Sequence, residues 1–182
     1  ILNLELIKEY SECSSYLAKL KSSAGRQANP LPTKALLNKI NTAREERDRL
    51  SHQADVLRKQ IRDLVPWGHF DYELVRKLRK AGLHIDFHSC LKNHFKKEWA
   101  EQYPLQIINE HSGILYFVVL SDSGSPALEA DTFSFHHHTL QEFENQLKDT
   151  EAQINSVDEY LKDISPTAIE AFKEEISQLS QG

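Results

Sequence analysis

From position 36 onward, apolar residues recur at alternating intervals of four and three: Leu36, Ile40, Ala43, Leu50, Ala54, Leu57, Ile61 and Leu64, with Arg47 in the skipped position. This is the a/d repeat of a coiled coil, and Asp, Glu, Lys and Arg fill the remaining, solvated positions. A second run does the same through Leu140, Phe143, Leu147, Thr150, Ile154, Val157, Leu161 and Ile164. A shorter helix opens the chain with Leu6, Tyr10, Cys13, Leu17 and Leu20 in the same stagger. Ser22-Ser23-Ala24-Gly25 breaks it, and Asn29-Pro30-Leu31-Pro32 with Thr33 suits the start of the long helix. Cys13 lies on the apolar stripe and reads as a small core residue. Near the end, Ser165-Pro166 is expected to interrupt the second long helix. Ser165 would cap a new helix striped by Ala168, Phe172, Ile176 and Leu179.

The stretch between the two heptad runs changes period. Asp71 suits the cap of a helix that carries Leu74, Val75 and Leu78 inward and ends at Gly82. Leu83 to His88 alternates as a half-buried strand. Leu91, Phe95 and Trp99, spaced by four, predict a helix over 91–102 that Tyr103-Pro104 ends. Leu105 to Ile108 reads as a strand, Asn109 to Gly113 as a turn, and Ile114 to Leu120 as an apolar strand. The loop Ser121–Ala127 leads to a last alternation at Thr132 to Phe135. The expected fold is α+β: an antiparallel helical coiled-coil strut bracketing a small α/β lobe, a helix followed by β-α-β-β and a last strand. The divisions are 1–65, 66–138 and 139–182, with the lobe in the middle.

Charge suggests how the helices pair. From Leu31 to Val65 there are eight basic and five acidic residues, net +3; from Thr139 to Gly182 there are three basic and ten acidic, net −7. Helices of opposite sign that each need a partner for an apolar seam favour one another, and an antiparallel hairpin follows. At 1.5 Å per residue the first helix, about 32 residues, spans roughly 48 Å.

Composition narrows the function. Glycine and proline number 6 each among 182 residues, too few for a turn-rich sandwich or barrel. The net charge of −5 disfavours nucleic acid as a partner. Two cysteines do not suggest a disulfide scaffold, no signal peptide is expected, and a reducing compartment is the expectation. The longest apolar run, Gly113 to Leu120, falls well short of the roughly 18 residues of a membrane helix, so the segment is expected to be soluble. With no methionine, even at position 1, it is expected to be a piece of a longer protein.

The sharpest motif lies where the first heptad run ends: Leu64-Val65-Pro66-Trp67-Gly68-His69-Phe70-Asp71. A long heptad helix running into Pro-Trp-Gly-x-Phe-Asp, then a helix ending at Gly82 and a strand, resembles the cytoplasmic N-terminal region of rotary V/A-type ATPase subunit I. That subunit is the bacterial and archaeal counterpart of eukaryotic subunit a. The likeness covers nearly the whole chain, but apart from this stretch its heptads are generic. It implies the distal of two α/β lobes plus much of the strut, with the proximal lobe and the membrane half lying outside this segment. It further implies a non-catalytic stator arm of a proton-translocating ATPase on the cytoplasmic side of a bacterial cell membrane. Its partners would be a peripheral-stalk heterodimer and other ATPase subunits. Read from the residues alone, Pro66 stops the strut helix, Gly68 permits a tight turn, Asp71 caps the next helix, and Trp67 and Phe70 bury apolar surface. That makes a rigid joint.

A candidate docking surface for a stalk terminus is basic: Arg76, Lys77, Arg79 and Lys80 on the helix after Asp71, then Lys92, Lys96 and Lys97. The plainer reading is a solvated basic face. Other chemistry is sparse. His84, Asp86, His88 and Cys90 share one face if their strand extends, with His94 nearby, and all are zinc-ligand types. Two-residue spacing splays them, however, and an exposed polar strand face is the expectation. His136-His137-His138 diverge and do not make a three-ligand site. No nucleophile elbow, phosphate-binding loop or His-Glu-x-x-His is present. Ser121 to Pro126 reads as a turn-rich connection, and no cofactor is expected. The alternative to a stator arm is a stand-alone coiled-coil adaptor whose lobe dimerises or binds protein.

Overall fold

A computed structural model describes residues 2–20, 31–122, 124, 126–135 and 138–181. The Ser22–Gly25 break, Asn29-Pro30, Ser123, Ser125, His136 and His137 lie outside the described residues. The chain mixes helix and sheet: α1 Leu2–Ala18, α2 Thr33–Leu64, α3 Tyr72–Lys80, β1 His84–Leu91, α4 Lys97–Gln102, β2 Leu105–His111, β3 Ile114–Ser121, β4 Asp131–Phe133 and α5 Leu140–Ser180. It divides into two compact units, residues 1–55 with 148–182, and residues 56–147. The end of α2 and the start of α5 therefore belong to the sheet-bearing unit. None of the described helices is long and apolar enough to cross a membrane.

The first unit is helical. Tyr10, Cys13 and Leu17 of α1, Leu36, Leu37 and Ile40 of α2, and Leu161, Ala168 and Phe172 of α5 form one buried cluster. The Tyr10 and Phe172 rings lie 5.2 Å apart at its centre. Arg47, which breaks the apolar stripe of α2, forms a two-pronged ion pair with Asp158 of α5; the Nη2–Oδ2 arm measures 3.3 Å. The hydrogen bond to Asp158 raises the Arg47 pKa further, so the guanidinium keeps its charge.

The expected interruption at Ser165-Pro166 does not occur: α5 runs through, with Pro166 inside it. A proline removes one rung of the helical ladder, but Leu161, Ala168 and Phe172 on either side are fully buried and hold the helix on course. Ser165 is not a cap; its buried hydroxyl donates to the Leu17 carbonyl of α1 at 3.0 Å.

The second unit carries a four-stranded antiparallel sheet in the order β2-β3-β1-β4. β1 pairs with β3 from His84↔Ser121 to Leu91↔Ile114. The predicted turn at 109–113 is shorter than expected, because β2 continues to His111 past an irregularity between Ile107 and Asn109. Ser112 (φ 51°) and Gly113 (φ 76°) form the two-residue hairpin, with the positive φ pair of a type I′ turn. The helix expected over 91–102 is also corrected. Leu91 closes β1, and Lys92 extends the ladder by donating to Gly113 O at 2.9 Å. A 3₁₀ turn, Lys92–His94, precedes the short α4. Phe95 and Trp99 still meet, edge to face at 5.4 Å, so the spacing by four located the aromatic pair but overstated the helix.

Both sheet faces are packed. Cys90, Leu115, Phe117 and Val119 lie under Trp99 of α4 on one face. Ile85 and Phe87 lie under Trp67 on the other, with Val75, Leu78 and Val118 against them. Leu57, Leu64, Leu140 and Phe143 make a third cluster within this unit, reached by Phe133 and Phe135. Phe172→Ala is expected to take about 3–5 kcal/mol from the helical unit, the usual cost of emptying a buried aromatic site, read by urea denaturation. A loss below about 1 kcal/mol would show that this ring is not the centre of the cluster.

Candidate functional site

The residues of the sharpest motif are built into the sheet-bearing unit. After Leu64 the chain tightens into a 3₁₀ turn, Val65–Trp67, with Pro66 in its first positions. Gly68 then reverses direction at φ 72°, its N–H donating to Val65 O at 3.0 Å. A side chain there would be strained by the backbone angle. Trp67 is 5% exposed and meets Phe87 at 5.5 Å and Tyr116 at 5.3 Å, both edge to face. Phe70 meets Phe135 edge to face at 4.3 Å. The Asn109 amide of β2 donates to Pro66 O at 2.9 Å. Asp71 caps α3, accepting from Glu73 N at 3.0 Å and Leu74 N at 3.3 Å. Pro66, Trp67, Gly68, Phe70 and Asp71 thus fix the turn, the sheet and α3 to one another.

The seven basic candidates do not form one surface. α3 packs through Val75 and Leu78 on the Trp67 face of the sheet, whereas Phe95 and Trp99 pack on the opposite face. Arg76, Lys77, Arg79 and Lys80 are therefore separated by the sheet from Lys92, Lys96 and Lys97. Within the first group Arg76 pairs with Glu73 at 2.9 Å, and Arg79 Nη2 donates to Ile85 O at 2.9 Å. Lys92 and Lys96 pair with Glu110 at 3.0 Å and Glu129 at 3.1 Å. Lys77 and Lys80 are exposed and form no ion pair with another described residue.

Leu74 is corrected as well: expected inward, it is 54% exposed. Together with Trp67, Val75, Ile108, Val118 and Leu120 it lines an open apolar groove of about 250 Å³. Sequence reasoning missed this groove. The signal available was the single nine-residue helix offered to one face of a sheet.

The candidate metal face also differs from expectation. β1 does extend to Cys90, but its polar face is not exposed: His88 is 3% exposed and Cys90 is buried. The His88 ring lies 5.5 Å from Phe117, and neither of its nitrogens has a hydrogen-bond partner among the described residues. Among the described residues no group of three or more His, Cys, Asp or Glu is placed to hold a metal ion. Both cysteines are free and buried. Burial pushes the Cys13 thiol up, partly offset by Arg44, and burial with Asp131 pushes up Cys90.

Scans against family models, curated proteins and solved structures found no match for this chain. The resemblance to subunit I therefore rests on the residues themselves.

Two outcomes follow from this geometry. Trp67→Ala is expected to cost the sheet-bearing unit about 3–5 kcal/mol and Asp71→Ala about 1 kcal/mol, measured by denaturant titration; equal losses would contradict their different burial. Both thiols, with raised pKa and little thiolate, should react slowly with a chromogenic disulfide at about pH 7.5 and quickly once urea unfolds the chain. Rapid reaction of the folded chain would contradict their burial.

Proposed function

We propose that the chain is a non-catalytic stator arm of a V/A-type proton-translocating ATPase, linking a peripheral stalk of the catalytic sector to the membrane sector. In this reading α2 and α5 are the two limbs of a coiled-coil strut, the sheet-bearing unit is its distal lobe, and the parent subunit sits on the cytoplasmic side of a bacterial membrane. The observation that carries the reading is the Pro66–Asp71 joint. The residues on which the resemblance rests form a packed, hydrogen-bonded turn from the end of α2 into the lobe. A stator bears torque, and a joint fixed by aromatic packing, a cross-chain amide and a helix cap resists bending where a glycine-rich linker would not. The heptad positions of both long helices support it further: from Leu36 to Leu64 and from Leu140 to Ile164 each is buried or half-buried. The docking surface for the stalk is the exposed side of α3, with Lys77 and Lys80 as its available charges.

The purified chain should bind the heterodimeric peripheral stalk of the same organism in calorimetry, and Lys77→Glu with Lys80→Glu should weaken binding about tenfold, a difference of about 1.4 kcal/mol. Absence of binding by the unmodified chain overturns the stator reading. Unchanged affinity in a correctly folded double variant overturns only the surface. The uninterrupted reading frame supplies an independent check: several membrane spans downstream are expected, and their absence overturns the assignment.

A further inference from the structure

We draw no further inference here: the strongest candidate, the outer edge of β2 in the four-stranded sheet, where Ile107 and Ile108 are exposed, is interrupted by the irregularity between Ile107 and Asn109, and nothing in the structure shows which strand would cover it.

Discussion

A four-stranded sheet has two faces to cover, and in this chain one of them is organised around a single indole. Trp67 lies across Phe87 and Tyr116 with Phe133 and Phe135 against its flanks. Burying a tryptophan removes about 150–250 Å² from water, worth at most about 4–6 kcal/mol. Its position is set by Pro66 on one side and Gly68 on the other, and the residues that follow are Phe70 and the cap Asp71. Loosening the indole would therefore release α3, the sheet face and the exit from α2 together. The turn is short because the proline ends the helix where the ring must begin to pack.

The helical unit answers to a different constraint. Its long helices keep a four-three rhythm, and an intruding arginine in that rhythm requires a partner. Arg47 finds Asp158, which is why the seam tolerates it. The cation is half-buried and doubly bonded, a geometry worth more than the exposed pairs such as Lys59–Asp63 at 2.9 Å. Arg44 of α2 lies over the Tyr16 ring of α1 at 4.1 Å, so the surplus of positive charge on α2 is met by a ring as well as by carboxylates.

Periodicity made much of this legible. The buried positions of α2 and α5, the Asp71 cap, the apolar strand at 114–120 and the role of Cys13 can all be read from residue spacing, because each depends on neighbours three, four or two positions away. What spacing could not supply was tertiary. Leu91, Phe95 and Trp99 fit a helical period, yet Leu91 is claimed by pairing with Ile114 across the sheet. Ser165-Pro166 has the form of a helix boundary, and the buried residues around it overrule that form. The basic residues of α3 and of the 92–97 segment are close in sequence, but β1 passes between them and sends them to opposite faces. His88 alternates with polar residues and is nevertheless buried, its ring beside Phe117 on a packed sheet face.

Leu74 brings these limits to one point. The pattern of α3 places Leu74, Val75 and Leu78 within about 100° of the helix surface, and a nine-residue helix on a wide sheet cannot turn all three toward the same strands. Val75 and Leu78 meet β1, and Leu74 is left at the edge of the cover, beside Val118 and Leu120. Closing that space within the chain would need a second helix after β2, but Ser112-Gly113 returns the chain at once into β3. The short hairpin thus completes the sheet and leaves an apolar groove beside Leu74. The groove therefore arises from the topology of the sheet and the short α3, and not from a single exposed leucine.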